Sequence, residues 1–283
     1  MARKRRIKRQ GPSLSTILLV LIFIVGLSLL LYPSFADYWN SFTQSRAIAG
    51  YAEQVAKIDD ETYDRMIAEA LDYNRRHSAK GTRYTLPDEE LEEYNSLLNV
   101  GGNGVIGYID IPVAGVHLPV YHGTDEAVLQ IAVGHLEWTS LPIGGESTHS
   151  VLSGHRGLPS AKLFTDIDKL VVGDVFMLQV LDETLTYEVD QIHIVLPQEM
   201  QDLAIEPGKD LCTLVTCTPY GINSHRLLVR GHRIANAEVK RIIRVSADAM
   251  QIEPVIVAPA IGIVLIMLIF IGSFIIGQIR KHR

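Results

Sequence analysis

The N-terminal region holds the feature that most limits how this chain can fold, a run of 19 uncharged residues from Leu14 to Tyr32. As a helix this run is roughly 28 Å long, which matches the ~30 Å hydrocarbon core of a bilayer. Six Lys and Arg residues lie among the first nine residues, and the positive-inside tendency places them in the cytoplasm. The sequence therefore predicts a basic cytoplasmic tail at 1–13 and a transmembrane helix at 14–32.

A cleaved signal peptide is the competing interpretation of this segment. The apolar run is longer than the hydrophobic region of a usual signal peptide, and Tyr32 to Ala36 offers only a poor small-residue cleavage site. We therefore favour an uncleaved anchor.

A second uncharged stretch, Val255 to Ile279, precedes the basic residues at 280–283. It predicts a transmembrane helix at 254–279 and a basic cytoplasmic tail at 280–283, with the domain between the two helices outside the cell. Nine of the 26 Lys and Arg lie in the two tails, so residues 33–253 hold 17 of them against all 32 Asp and Glu, a net charge of −15. So acidic a domain is a poor binder of nucleic acid.

The chain has two cysteines, Cys212 and Cys217. Their separation of five residues sends the side chains to opposite faces of one predicted strand, so we expect no disulfide between them. An extracellular domain without a disulfide suits a Gram-positive surface protein better than a small disulfide-stapled module. Cys217 is thereby free to act as a nucleophile, while Cys212 is expected to be a small buried residue.

The region between the two membrane segments changes from helical to strand periodicity. Apolar spacing over 38–77 predicts amphipathic helices that pack on the core, in preference to a separate partner-binding coil. Residues 78–88 are interpreted as a linker. From Gly104 onward, short apolar runs alternate with turn residues, which predicts a mostly β barrel or sandwich. The runs are 105–111, 117–121, 150–153, 175–181, 185–196, 213–217 and 226–230, and short helices are expected at 125–133 and 160–163.

The last two runs form a strand, a turn and a strand that carry candidate chemistry. Cys217 ends the first strand, Pro219 and Gly221 break it, and Arg226 begins the second. A thiol needs a cationic or basic neighbour to act as a nucleophile at neutral pH, since its pKa is ordinarily about 8.5. A guanidinium beside the cysteine would bind an acyl carbonyl and its oxyanion, although a plain surface charge is the default interpretation of Arg226.

Ten histidines are candidates for the basic partner of the cysteine. His155 is the best placed, because it follows a short predicted strand and sits in a turn between Gly154 and Gly157. Spacing alone leaves the choice among the ten open.

The segment from Thr213 to Gly231, TLVTCTPYGINSHRLLVRG, resembles the active-site signature of sortases, and in particular of the class C, pilin-polymerising sortases of Gram-positive bacteria. Other similar segments lie at 102–112, 118–123, 134–137, 139–142 and 152–166, so that the resemblance covers roughly residues 90 to 235. It implies a mostly β fold, a sortase-type closed β-barrel of about eight strands with peripheral helices, joined to the N- and C-terminal transmembrane helices. The expected divisions are a helical and linker region at 33–88, the catalytic barrel at 89–235 and a juxtamembrane segment at 236–253.

The resemblance also implies the chemistry and the partners. Cys217 would be the nucleophile, His155 its acid and base, and Arg226 the clamp on the carbonyl and oxyanion. The substrates would be pilin subunits with an LPXTG-like sorting signal, cleaved after Thr to form a thioester that a pilin lysine then attacks. No cofactor or metal is needed, because the thioester keeps the acyl group reactive.

Two other functions compete with pilus assembly. One is a sortase that anchors surface proteins to cell-wall peptide amines, and the other is a non-enzymatic membrane-tethered surface protein. Many class C sortases also carry an Asp-Pro-aromatic lid motif, whereas this chain contains no Asp-Pro dipeptide. We therefore expect a site that is open or covered by some other contact.

Overall fold

The structure is a computed structural model that describes residues 14–81, 83–236 and 262. The larger of its two compact units is Asp37–Ala247. Four predicted segments lie outside the described residues, apart from Asn236 and Gly262: the tails at 1–13 and 280–283, the juxtamembrane segment at 236–253 and the second transmembrane helix at 254–279.

Among the described residues, four α-helices precede or interrupt the strands: α1 (Leu14–Val55), α2 (Asp60–Ala79), α3 (Asp88–Ser96) and α4 (Glu126–Leu129). The apolar run therefore forms a helix, as predicted, and by length and composition the helix at 17–55 can cross a membrane. Asp59 is the N-cap of helix α2, and its carboxylate accepts a hydrogen bond from Thr62 N at 2.7 Å. The predicted linker joins α2 to α3, a helix that the sequence analysis did not identify.

The amphipathic helices pack on the core, as predicted, and do not form a separate coil. Ala70 and Tyr73 of α2 belong to the main hydrophobic cluster, and Ile67 packs against it. Asn74 fixes the helix further, because its amide donates to Leu141 O at 3.0 Å and its oxygen accepts from Leu141 N at 2.7 Å. At the end of α1, Tyr51 donates to the Ile106 carbonyl at 3.0 Å.

Eight strands of the described region close into a barrel, which confirms the predicted mostly β fold with a closed barrel of about eight strands. The strands are β1 (Val105–Ile111), β2 (Val116–His122), β3 (Val133–His135), β4 (Thr148–Ser153), β5 (Val175–Val180), β6 (Glu183–Val195), β7 (Asp210–Thr218) and β8 (His225–Ile234). Their order around the barrel is β1-β2-β3-β4-β7-β8-β6-β5. Strands β4 and β7 are parallel neighbours, and β7 and β8 form an antiparallel hairpin.

Two local predictions were wrong. The expected helix at 125–133 shrinks to the four residues of α4, because Val133 begins the short strand β3. The expected helix at 160–163 is a series of turns. The first helical hydrogen bond, from Phe164 N to the Ser160 carbonyl, does not form: Phe164 N donates to the His155 carbonyl at 3.1 Å, and the Ser160 carbonyl accepts from Asn40 at 2.8 Å.

Candidate active site

Strand β7 separates the two cysteines by the alternation of its side chains. Cys212 and Leu214 belong to the main core, whereas Val215 belongs to a second cluster on the other face of the strand. Cys217 shares that face and is partly exposed, and both cysteines are free thiols. Complete burial raises the pKa of the Cys212 thiol well above its usual value, so Cys212 stays protonated and unreactive.

Arg226 lies directly across the hairpin from Cys217. The register of β7 and β8 pairs the two residues, so their Cβ atoms are about 5 Å apart on one face of the sheet. The guanidinium donates to the carbonyls of Asn223 and His225, at 3.3 and 3.1 Å, which holds it beside the turn. The hairpin that the sequence predicted therefore brings a partly exposed thiol and a guanidinium together.

His155 reaches the same end of the barrel through the parallel pairing of β4 and β7. Gly154, the residue before it, donates its amide to Val215 O at 3.1 Å and accepts from Thr216 Oγ1 at 2.7 Å. Because parallel strands end at the same edge of a sheet, the turn that carries His155 begins beside the strand end that carries Cys217.

This turn also depends on the close approach of a buried ring. A Cβ on Gly154 would lie 2.7 Å from Cγ of Phe164, a side chain with no solvent exposure. Only glycine allows the ring to pack there. The His155 carbonyl accepts from Phe164 N, so the same ring and backbone hold the turn in place.

Arg156 is a residue of this site that the sequence analysis missed. Its side chain is only 11% exposed and forms an ion pair with Asp168. It also donates to Thr218 Oγ1 at 3.3 Å and lies 6.0 Å from the centre of the Tyr220 ring. Arg156 thus connects the turn after β4 to the turn after β7. The sequence feature that could have identified Arg156 is its position directly after a candidate catalytic histidine.

A second, buried apolar cluster lies on the outer face of the barrel beside this site. We call it the outer cluster, defined by the buried residues Trp138, Val151, Leu203, Val215 and Leu228. The linker between α2 and α3 contacts it, because Leu86 packs on the cluster and the Tyr84 ring meets Trp138 edge-on at 5.1 Å. The linker therefore covers part of the outer cluster without the Asp-Pro motif, and Cys217 keeps partial exposure.

A separate cavity of about 450 Å³ lies between α2 and the barrel. Its lining includes Ile67, Asp210 and Arg233. Asp210 begins β7 and Cys217 lies seven residues later, so the cavity is roughly 23 Å along the strand from the thiol. Among the residues that the structure describes, no group of three His, Cys, Asp or Glu is arranged to hold a metal.

The chain has clear relatives among known proteins. Residues 109–234 match the family described as the Sortase domain, and this region contains His155, Cys217 and Arg226. A crystal structure of sortase C1 from Streptococcus agalactiae is 53% identical and aligns with a TM-score of 0.66 over 68% of this chain and 99% of that one.

Two further relatives agree with this match. The Clostridium perfringens sortase C, solved with the C-terminal cell wall sorting motif, is 46% identical with a TM-score of 0.60, over 68% of this chain and 99% of that chain. Sortase A of Streptococcus agalactiae serotype III (strain NEM316) is 25% identical over 209 residues, which is 71% of this chain and 77% of that protein. The class C structures are thus the more similar of these relatives.

Proposed function

Because this chain belongs to the sortase family and is a cysteine transpeptidase of class C-like structure, we propose that it joins pilin subunits through isopeptide bonds. The observation that carries the proposal is the pairing of Cys217 with Arg226 beside the turn of His155. The substrate would be a pilin with an LPXTG-like sorting signal, cut between Thr and Gly. Support for such a substrate comes from the C. perfringens relative, which was solved with a cell wall sorting motif.

In the first step, the Cys217 thiolate attacks the carbonyl carbon of the Thr–Gly bond. Arg226 donates to the carbonyl oxygen as it becomes an oxyanion, which is where fixed donors lower the barrier most. The C–N bond breaks, and the imidazolium of His155 gives its proton to the leaving glycine amine. The products of this step are a free glycine-ended peptide and a thioester between Thr and Cys217.

In the second step, a lysine amine of the next pilin attacks the thioester. Neutral His155 accepts the proton that the amine loses, and the Cys217 thiolate leaves. The acyl group ends in an isopeptide bond, and the enzyme returns to its starting state. No outside energy source is needed, because the thioester preserves the reactivity of the cleaved peptide bond.

The buried outer cluster supports the face of β7 that carries Cys217, since Val215 precedes the cysteine by two residues on that face. An extended sorting signal that meets this strand end would present its Thr–Gly bond to the partly exposed thiol. We also propose that the barrel lies outside the cell, held by α1 in the membrane, where substrates that share the membrane have a raised effective concentration.

The test is to incubate the full chain in nanodiscs with a purified pilin and to search the products by tandem mass spectrometry. The proposal expects a pilin–pilin crosslink between Thr of the sorting signal and a lysine, present with wild type and absent with Cys217→Ala. Cleaved pilin without a crosslink, combined with transfer to an added cell-wall peptide amine, would reject pilus assembly in favour of anchoring.

A further inference from the structure

The part of α1 within the larger unit has two opposite faces. Residues 37, 40, 44, 48 and 51 recur at helical spacing and face the barrel. Their contacts are specific: Asn40 donates to the Ser160 carbonyl at 2.8 Å, and Asp37 accepts from Lys162 N at 2.8 Å. This face therefore holds the segment that follows His155.

The other face of the same helix carries exposed aromatic side chains. Tyr38, Trp39 and Phe42 are 71%, 61% and 47% exposed, and the Arg46 guanidinium lies 4.1 Å from the centre of the Phe42 ring. At 100° per residue, these four side chains fall within about 100° of arc, centred opposite the face that contacts the barrel. We call them the aromatic face.

An exposed aromatic cluster of this kind is unusual on a soluble surface, where large apolar patches mark interaction sites. Its composition indicates which partner. Trp and Tyr favour the boundary between lipid and water, because each ring has an apolar body and a polar end. Arg places its aliphatic stem along apolar surface while its charge stays near water or anionic lipid headgroups.

The position of the aromatic face in the chain supports the same partner. It lies on α1, whose preceding residues form the apolar run, and by length and composition this helix can cross a membrane. Tyr38 follows the end of that run at Tyr32 by only six residues. Trp and Tyr are enriched near the ends of membrane-spanning segments.

We propose that the aromatic face of α1 is a lipid-docking surface that lies in the headgroup region of the bilayer. Through Asp37 and Asn40, the opposite face of the helix holds residues 160–162, so the segment after His155 is tied to a helix seated on lipid. This role goes beyond transpeptidation, and lipid contact can be measured in an enzyme that has no activity.

The chain offers a direct reporter, because its two tryptophans are Trp39 and Trp138. Trp138→Phe leaves Trp39 alone, and Trp39→Phe leaves the buried Trp138 as the matched control. The full chain is placed in nanodiscs whose lipids carry bromine near the headgroup end of the acyl chains, and fluorescence is measured with and without aqueous iodide.

The expected result is that brominated lipid reduces Trp39 emission by about half or more while iodide has little effect, since the ring lies at the lipid boundary. Trp138 emission should change little with either quencher. Strong quenching of Trp39 by iodide with none by brominated lipid would overturn the proposal. Protection from both quenchers would also overturn it, because a protein surface would then cover the face.

A double variant, Trp39→Ser with Phe42→Ser, tests the consequence for a sortase. It should transfer a bilayer-anchored sorting-signal substrate roughly tenfold more slowly than wild type while cleaving a soluble peptide at the same rate. The exposed control Val172→Ser should change neither rate. Equal losses on both substrates would indicate a structural role and reject lipid docking. If neither wild type nor any variant acts on either substrate, the proposed function is rejected. The quenching experiment still tests the lipid contact in that case.

Discussion

Arg156 and Thr218 connect the two turns of the proposed active site, through a hydrogen bond of 3.3 Å from the guanidinium to the threonine hydroxyl. Arg156 directly follows His155, and Thr218 directly follows Cys217. The spacing of the proposed acid–base group and the proposed nucleophile thus depends on the largely buried side chain of Arg156, which also forms an ion pair with Asp168.

Replacing Arg156 with Ala should lower kcat for a sorting-signal peptide roughly ten- to hundredfold, with a smaller change in KM, because the two turns lose their fixed spacing. The Lys variant should recover only part of this rate, since it cannot bind Asp168 and Thr218 with one planar group. Steady-state kinetics over a pH range would measure both effects. Arg75→Ala, on the exposed face of α2, is the control. A kcat within twofold of wild type for Arg156→Ala would contradict the positioning role.

Gly154→Ala should displace the turn of His155, because the new Cβ would lie 2.7 Å from the Phe164 ring. We expect a loss of about 1–3 kcal/mol in the free energy of unfolding, as for other overpacked sites, together with lower activity. Adding Phe164→Leu should restore part of both by making room. Urea unfolding of these variants beside Gly50→Ala, where an added Cβ meets nothing within 4 Å, would measure the effect. Unchanged stability in Gly154→Ala would show that the ring shifts freely.

Arg226→Lys tests the proposed oxyanion clamp while keeping the positive charge. A lysine lacks the rigid planar donors of the guanidinium, so we expect kcat to fall about 10²- to 10³-fold, the usual loss when an oxyanion donor is removed. The rate of Cys217 alkylation by a small reagent should change far less, because alkylation forms no oxyanion. If the Lys variant turns over the peptide at the wild-type rate, Arg226 contributes only charge.

Much of this site could be predicted from the sequence, because its parts are local or follow strand periodicity. Cys217 and Arg226 flank one short turn, so the hairpin alone brings them into register. The link between Arg156 and Asp168 could not be predicted, since it depends on how the segment after β4 folds back. The helix expected at 160–163 is absent for the same reason: Phe164 N donates to the His155 carbonyl and the Ser160 carbonyl accepts from Asn40, so the helical bond between these two groups does not form.

Strand length explains two further differences between sequence and structure. Strand β3 has three residues, too few to show a period of two, and it became part of an expected helix. Cys212 and Cys217, in contrast, lie on a strand of nine residues, long enough for alternation to place them on opposite faces as predicted. The catalytic roles of His155, Cys217 and Arg226 remain predictions, which the variants above would test.

His122 should make the fold sensitive to mild acid. Burial lowers its pKa to about 4, below the 6.5 of an unperturbed histidine. The unfolded chain therefore binds more protons between these values, so stability is lost as pH falls from about 6.5 to about 4. His122→Phe keeps the edge-on contact with the Tyr94 ring and removes the titration.

We compare the free energy of unfolding of His122→Phe with that of wild type at each pH. The difference should be about 2 kcal/mol more in favour of the variant at pH 5 than at pH 7.5. Urea titrations at the two pH values would measure this difference. His232→Phe, at an exposed position, is the control for replacing a histidine with phenylalanine. A parallel pH dependence in wild type and His122→Phe would mean that His122 titrates normally in the folded protein.

The central claim is that Cys217 carries the acyl group, and intact-protein mass spectrometry tests it most directly. The full chain is incubated with a sorting-signal peptide, quenched in acid and digested to locate any adduct. We predict a thioester of the peptide fragment ending in Thr on Cys217, none on Cys212, and none in Cys217→Ala. Cleavage of the peptide by Cys217→Ala at the wild-type rate, or an acyl group found only on another residue, would contradict the claim.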